Sequence, residues 1–399
     1  MICTTGVIHF GFTAIIEPIA NDFGWSYTQI SFAASIRGLE TGLLAPLIGI
    51  LVDRWGPRKL IFGGVILTAL SLILLSQISS LATFYGVFIL MSVATSMNAH
   101  TVMTKVVANW FRKRMSLAIG IMAAGFGLGG FIIPIVVRLI DIFDWRATMF
   151  ILGLAMLVIV LPLSFLVRDK PARYDYLYES EVQGTLVASD SLILARSSNV
   201  EIGVKQILKS RTFWQLSLAL TLFSLLSNAM ITHIMPYLSS IGVARSTASF
   251  VAVVIPLISI FGRFSFGWLG DRLDKGRLAA AGFALMSVGL IFLGYAANGS
   301  YWFLILSLVL FGLGWGGLIP MRAILLGDQF GRKRIGTVLG LVIGVTHLGN
   351  IVGPPLAGWV FDTWGSYQGI WFIFAGLSAI AIAIILATPR FRNEIELAK

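Results

Sequence analysis

One arginine interrupts an apolar run that is long enough to cross a membrane. Arg263 is the only charged residue within positions 247–270. An arginine at the centre of a membrane helix costs about 2.5 to 3.5 kcal/mol, so it normally faces a polar cavity or a partner. A guanidinium holds a carboxylate through two parallel hydrogen bonds and does not release its proton. Arg263 is therefore our first candidate for an anion-binding residue. The alternative is a structural arginine held by a backbone carbonyl or by an acid elsewhere in the chain.

Other ionisable residues in apolar segments are candidates for proton coupling or gating. Arg37 and Glu40 lie three residues apart on one face of a predicted helix, where they can pair with each other. Alternatively, Glu40 faces a cavity and carries a proton. Three further candidates for coupling are His9, Glu17 and His347. His100 and His233 are predicted to be hydrogen-bonded packing residues.

Two more arginines in apolar segments are predicted to be structural. Arg322 precedes Asp328 by less than two helical turns, so we expect its side chain to extend toward the nearer membrane surface. Arg138, with Asp141 and Asp144 nearby at the outer end of the fifth helix, is interpreted in the same way.

No pattern for covalent or metal chemistry accompanies these charges. The single Cys3 excludes an internal disulfide and a cysteine cluster, and GxSxG, HExxH and Walker A patterns are absent from the sequence. Matches to GxGxxG at 125–130 and 312–317 follow no strand and lie in apolar segments, where small residues serve helix packing. We interpret the pairs Gly340/Gly344 and Gly349/Gly353 in the same way. The sequence predicts neither an enzyme nor a bound cofactor or metal.

The composition is that of an integral membrane protein. Hydrophobic residues make up 57% of the chain, charged residues 12%, and there are 42 glycines. A spanning helix needs about 20 mostly apolar residues. We identify twelve such segments, which are too long and too uniformly apolar for a β-barrel. The predicted fold is an all-α membrane protein with twelve transmembrane helices in two pseudo-symmetric six-helix bundles.

The polar segments divide this fold into four parts. We predict an N-terminal bundle at 1–167, a cytoplasmic linker at 168–211, a C-terminal bundle at 212–389 and a cytoplasmic tail at 390–399. Because the sequence starts inside apolar residues, we expect the first helix to be truncated at its beginning. A short amphipathic helix lying on the membrane surface is predicted at 202–210.

The net charge of +11 reflects membrane orientation rather than nucleic-acid binding. Most of the 29 basic residues fall on alternate loops, the ones that include the linker and the C-terminal tail. Cytoplasmic loops carry the excess of lysine and arginine. We therefore predict a multi-pass protein of the plasma membrane, the inner membrane of a bacterial cell, with both termini in the cytoplasm and no nucleic-acid partner.

The second half of the chain repeats the first. The pairs Asp53/Asp271, Arg112/Arg332 and Pro134/Pro354 all recur at a separation of about 220 residues. Two charged turns are part of this repeat, and we predict that they form ion pairs when the cytoplasmic side is closed. The residues of this cytoplasmic latch are Gly49, Asp53, Arg54, Gly56 and Arg58 in the first half, and Gly267, Asp271, Arg272 and Arg277 in the second.

The first of these turns resembles the signature of the major facilitator superfamily. The pattern GxLxDRxGxRK is matched by Gly49, Leu51, Asp53, Arg54, Gly56, Arg58 and Lys59. Within that superfamily the chain is similar to the monocarboxylate transporters and the oxalate/formate antiporters. The matching residues are Trp110, Phe111, Lys113, Arg114, Leu117, Ala118, Gly120, Ala124 and Gly125, then Arg211, Phe213 and Trp214, then Gly353 to Gly358 with Asp362.

This resemblance implies a secondary transporter of a small organic anion, with a monocarboxylate as the expected substrate. Arg263 falls where the family carries its substrate arginine. One turn earlier, proton-coupled members carry an aspartate where this chain has Ser259, which leaves open whether a proton or a counter-anion is coupled. We expect a monomer that works by alternating access between its two halves.

Two other functions remain open at this point. A drug/proton efflux antiporter of the same fold would suit the many aromatic residues and the glycine- and proline-containing fifth helix, although a central arginine does not favour cationic drugs. A sensor that signals through the linker without transporting would bind a ligand and show no flux.

Overall fold

Every regular element that the structure describes is a helix. The computed structural model describes residues 2–98, 100–110, 115–167, 204–270, 272–296, 301–330 and 335–389. Ten stretches in these ranges are long and apolar enough to cross a membrane. The longest, Ala124–Phe165, contains two crossings because Asp144, at φ 70°, interrupts its helical backbone. Tyr27–Trp55 adds one more. The predicted twelve transmembrane helices in two bundles are confirmed.

Six helices form the first half. They are α1 (Ile2–Phe23), α2 (Tyr27–Trp55), α3 (Pro57–Leu75), α4 (Leu81–Met97, extended by His100–Trp110), α5 (Met115–Leu128, continued through Gly129–Phe131 to residue 143) and α6 (145–165). Capping boxes start two of them, with Ser26 and Gln29 at α2 and with Ser80 and Thr83 at α4. Each box satisfies backbone N–H groups that a helix start leaves without a partner.

Six more helices form the second half. They are α7 (Arg211–Ser240), α8 (Arg245–Gly270), α9 (Lys275–Ala296), α10 (Tyr301–Phe330), α11 (Ile335–Trp364) and α12 (Gln368–Leu386). A short helix at Val204–Lys209 precedes α7, and the Trp214 indole donates to the Leu208 carbonyl across 2.8 Å. This helix agrees with the one predicted at 202–210. Residues 168–203 and 390–399, most of the predicted linker and all of the predicted tail, lie outside the described residues.

The connections between helices lie at two ends of the bundle. We call the end with the turns at Gly24, Gly242 and Gly365 the closed end, and the opposite end, which carries Gly56 and both edges of the linker, the linker end. These four glycines have φ between 65° and 81°, a conformation that a Cβ atom disfavours. At Gly56 this confirms the tight turn predicted for the first latch.

Glycines allow close helix packing inside the second half, as predicted for 312–317. A Cβ atom on Gly316 would lie 2.1 Å from the Ser259 carbonyl oxygen, so α8 and α10 touch through their backbones. Gly349 does the same between α7 and α11, 2.1 Å from the Thr221 oxygen.

The same prediction is wrong for Gly340 and Gly344. Both positions on α11 are exposed, with none of the described atoms within 4 Å of an added Cβ. Two glycines spaced along one helix face predict that the face lacks side chains, but the spacing does not predict whether another helix packs against it.

Candidate functional site

Arg263 meets the other half of the molecule through an aromatic ring. Its guanidinium carbon lies 5.4 Å from the ring centre of Phe126 on α5. Both side chains are partly buried. A cation over an aromatic face is attracted by the electron-rich face of the ring, which lowers the cost of holding the charge inside the bundle. The predicted anion-binding residue therefore sits where the two halves meet.

Two residues of α1 also contact the Phe126 ring. The ring centres of His9 and Phe10 lie 5.4 and 5.5 Å from that of Phe126. Both residues belong to a π-helical turn, Thr5–Phe10, in which the Gly11 N–H donates to the Gly6 carbonyl across 2.7 Å. Such single wide turns are frequent at functional sites, and they shift side chains out of the regular helical register.

Trp315 on α10 also lies near Phe126. Its ring centre is 6.5 Å from that of Phe126, and the residue is 4% exposed. We call the set His9, Phe10, Phe126, Arg263 and Trp315 the central cluster. Sequence reasoning gave Phe126 no role. Only its contact with Arg263 distinguishes Phe126 from the many other aromatic residues.

The chemistry of the central cluster is that of a single cation with apolar walls. Arg263 lies about 27 Å along α8 from Arg245 at the closed end, well inside the bundle. An anion paired with this guanidinium would place its charged group there and its apolar body against Phe126 and Trp315. None of the described residues forms a group of histidine, cysteine or acidic side chains that could hold a metal ion.

The predicted coupling residues lie in separate places. Ser259 is fully buried in the α8–α10 packing contact, and its hydroxyl donates to the Pro256 carbonyl across 2.7 Å. His347 on α11 has its Nδ1 3.4 Å from the Asn350 side-chain nitrogen. For Arg37 and Glu40 the structure describes the backbone only, within α2, and their side chains lie outside the described residues.

Glu17 and His233 lie at the closed end, where the two halves meet. Glu17 accepts a hydrogen bond from the Ser239 hydroxyl across 2.9 Å. His233 is fully buried between the Ser31 hydroxyl, the Pro354 carbonyl and the Tyr367 hydroxyl, at 2.9 to 3.0 Å. The expectation that His233 is a hydrogen-bonded packing residue is confirmed. The side chain of His100 lies outside the described residues.

The described latch residues have contacts within their own half. The Arg58 guanidinium lies 3.5 Å from the Phe165 carbonyl, and the Arg272 guanidinium lies 3.8 Å from the Trp268 ring centre. Arg54 and Arg277 are exposed. For Gly49 and Asp53 the structure describes the backbone only, and Asp271 lies outside the described residues. Gly267 is helical within α8, with none of the described atoms within 4 Å of an added Cβ.

Asp362 at the closed end accepts hydrogen bonds from the start of a helix in the other half. Its carboxylate accepts from the backbone N–H groups of Tyr27 and Thr28, at 3.0 and 2.8 Å, and from the Thr28 hydroxyl at 2.5 Å. A carboxylate at a helix N-terminus satisfies donors without partners and complements the helix dipole. Asp362 is on α11 and the helix start belongs to α2, so this contact joins the two halves.

Arg245 joins the halves at the same end. Its guanidinium donates to the Ala14 carbonyl across 2.7 Å and lies 3.7 Å from the Asp141 carboxylate. Asp141 is one of the two acids noted near Arg138 in the sequence, and its described ion pair is with Arg245. Asp144, the other of these acids, accepts from the Ala147 N–H and thereby starts α6.

Two six-helix bundles that enclose a charged, aromatic cluster between them define a multi-pass membrane transporter. The chain belongs to the Major Facilitator Superfamily, whose family model matches residues 1–276 and 218–397. A match that extends through both halves agrees with the internal repeat seen in the sequence.

The chain is related to the monocarboxylate transporters. It is 27% identical to monocarboxylate transporter 12 of Xenopus laevis over 387 residues, which cover 94% of this chain and 83% of that protein. It is also 27% identical to monocarboxylate transporter 13 of Bos taurus over 388 residues, which cover 97% and 84% of the two chains.

Solved structures show the same fold. The xylose transporter XylE from E. coli, in an inward open conformation, superposes with a TM-score of 0.72 at 14% identity, covering 97% of this chain and 94% of that one. A bacterial homologue of the human lysosomal transporter Spinster gives a TM-score of 0.71 at 15% identity, with the same two coverages.

Proposed function

We propose that this protein is a secondary transporter of small organic anions, with monocarboxylates as its substrate class, and that Arg263 binds the carboxylate. The observation that carries the proposal is the position of Arg263, in the interior of α8 and against Phe126 of the other half. A substrate bound there would touch both halves, so its binding and release would be linked to their relative movement.

The walls of the central cluster favour one carboxylate and an apolar remainder. The described members contribute one permanent cation, three apolar rings and one imidazole. A second carboxylate would lie against Phe126 or Trp315 and lose hydration without gaining a cation. Relatives named monocarboxylate transporters support the same class.

The coupled species in this proposal is a proton or a counter-anion. Ser259 has no readily ionised group, and its hydroxyl is engaged with the Pro256 carbonyl. Among the remaining candidates, His9 is the one whose ring contacts Phe126 of the central cluster. If transport is proton-coupled, we therefore favour His9 over His347.

For orientation we propose that the linker end faces the cytoplasm and the closed end faces outward. The support is the excess of basic residues on the loops of the linker end. With this orientation the contacts of Asp362 and Arg245 close the outer side, and the latch residues belong to the cytoplasmic side. We further propose that the protein acts as a monomer in the plasma membrane.

The test is uptake of labelled lactate, pyruvate, oxalate and formate into proteoliposomes. We expect Arg263→Ala to abolish uptake, because an apolar side chain leaves the carboxylate without a counter-charge. Arg263→Lys should lower uptake about ten-fold or more, because an ammonium cannot make the two parallel hydrogen bonds. Arg138→Ala, which removes an exposed arginine of α5 that does not belong to the central cluster, is the control.

Full transport by the alanine variant would end the assignment of Arg263 as the anion site. Saturable export of a basic amine with no movement of the four anions would favour the drug/proton antiporter. Ligand binding without flux of any compound would favour the sensor.

A further inference from the structure

A second arginine lies between the central cluster and the linker end, at a depth set by α10. Arg322 follows Trp315 by seven residues on α10, so both side chains leave the helix on nearly the same face, two turns apart. Trp315 faces Phe126 of the other half. The face of α10 that carries Arg322 is thus the one that turns toward the interface between the halves.

The packing of α8 against α10 fixes the depth of Arg322 relative to Arg263. Gly262 is opposite Gly316 and Gly317, and Gly270 is opposite Met321 and Ile324, so the two helices run in parallel. Arg263 is therefore level with about Gly317, and Arg322 lies about 7 to 8 Å further toward the linker end. Two extended arginine side chains can reach one anion across that separation.

Arg322 is held without a counter-charge from the described residues. Its Nε is buried and has no hydrogen-bond partner there. The ion pairs between described residues are Arg146–Asp22, Arg245–Asp141 and Lys275–Asp328. Asp328, the next acid along α10, is thus bound to Lys275 of α9. The residues three and four positions from Arg322 on the same helix are apolar.

The Arg322 side chain was predicted to extend to the nearer membrane surface. Its position on α10 does not fit that prediction. Phe330, the last residue of α10, lies about 12 Å further along the helix axis, beyond the reach of one side chain. An arginine that is buried without a partner in a membrane helix is costly and usually belongs to a pathway.

We propose that Arg322 is a second anion-binding position, which receives the carboxylate from Arg263 on its way to the linker end. The ligand class is a monocarboxylate that pairs with the guanidinium through two hydrogen bonds. The carboxylate class rests on the proposed function, whereas the existence of an anion site at Arg322 does not. Two cations at successive depths let the anion move stepwise, so that neither site has to bind it too tightly to release it.

The direct test is protection of arginines from phenylglyoxal, mapped by mass spectrometry on the purified wild-type protein. Benzoate is the probe, and benzyl alcohol is its neutral counterpart. We expect benzoate, and not benzyl alcohol, to slow modification of both Arg263 and Arg322 several-fold. Exposed Arg138 should be modified at the same rate with either compound.

Each outcome of this labelling separates the two proposals. Protection of Arg263 alone would overturn the second site and leave the proposed function intact. Protection of Arg322 alone would contradict the assignment of Arg263 as the carboxylate-binding residue. If Arg322 were never modified, or equally protected by benzyl alcohol, it would not be an anion site on an open path.

Transport kinetics give an independent readout in vesicles of known orientation. Arg322→Gln should raise the half-saturating anion concentration about ten-fold when the anion is supplied from the linker end, and less than about two-fold from the closed end. Arg322→Lys should give a smaller rise on the same side. Equal rises from both ends, or no rise, would contradict a release site; if the glutamine variant does not fold, the lysine variant carries the comparison.

Discussion

The charged side chains that the structure describes make different kinds of contact at the closed end and at the linker end. At the closed end, Asp362 and Arg245 bond to the other half of the molecule, and each contacts backbone groups there. At the linker end, Lys275 pairs with Asp328 inside the second half, and Arg58 contacts Phe165 inside the first. Charge at the closed end therefore ties the halves together, whereas these contacts at the linker end stabilise each half by itself.

Helix α11 shows both environments along its length. Near the closed end, a Cβ on Gly358 would lie 2.8 Å from the Thr28 nitrogen of α2. Nearer the linker end, Gly344 borders open space. Near the closed end the backbones of α11 and α2 touch, and this close contact lets the Asp362 carboxylate reach the start of α2. A junction between the halves therefore depends on helix packing as well as on charge.

The largest effect should come from filling that contact. Gly358→Val would force new carbon atoms against the backbone of α2, and overpacking of this kind typically costs about 1 to 3 kcal/mol. We expect transport to fall at least about ten-fold and the closed end to open. The reporter is a single cysteine, Ser31→Cys in a Cys3→Ser background, labelled by an impermeant maleimide added at the closed end.

Gly344→Val is the matched control on the same helix. It should leave transport and labelling nearly unchanged, since none of the described atoms lies within 4 Å of its added Cβ. If the two variants behaved alike, the contrast between the two ends of α11 would not hold.

A smaller effect is expected from Asp362→Asn. Hydrogen bonds to a charged group contribute about 1.5 to 3 kcal/mol, and an exposed carboxylate falls at or below the low end of that range. We expect labelling of the reporter to rise about three- to ten-fold, because the state with the closed end open gains population. Asp22→Asn breaks a 3.1 Å pair with Arg146 inside the first half, and should leave labelling unchanged. A rise with Asp22→Asn, and none with Asp362→Asn, would reverse our interpretation.

The smallest effect is expected from Arg245→Met. The pair with Asp141 is partly exposed, and such pairs are worth about 0 to 1 kcal/mol, so most of the change comes from the lost bond to the Ala14 carbonyl. Labelling should rise about two- to five-fold.

Arg146→Met is the control. It should lower the melting temperature without opening the closed end, because Arg146 bonds to Ser76, Ile78 and Asp22 of its own half. Melting curves and reporter labelling measured together separate the two roles.

Much of the fold and one residue of the site were predictable from the sequence. Apolar segments of membrane length predicted the twelve helices, and the recurrence of Asp53 at Asp271 predicted two related halves. Arg263 was identifiable because a single charge in an apolar segment has a cost that needs a reason. The latch side chains and the four-part division of the chain stay predictions, since much of them falls outside the described residues.

The partners of these residues were not predictable. Phe126 was one of 28 phenylalanines until α5 was placed against α8, and Asp362 was one of several acids until α11 met the start of α2. The π-helical turn that presents His9 leaves no mark in the hydrophobic pattern of α1.

The amino-acid sequence by itself determined that this chain is an integral membrane protein, how many times it crosses the membrane, and that one of its membrane-length apolar segments contains a single charged residue, Arg263. These properties depend on the composition of single segments, which the cost of burying charge and backbone in lipid controls directly. Only the tertiary structure decided what faces that cation and which residues join the two halves at the closed end. Those contacts join residues that are far apart in the chain, such as Thr28 and Asp362, and they arise from the fit of whole helix faces, which no single segment encodes.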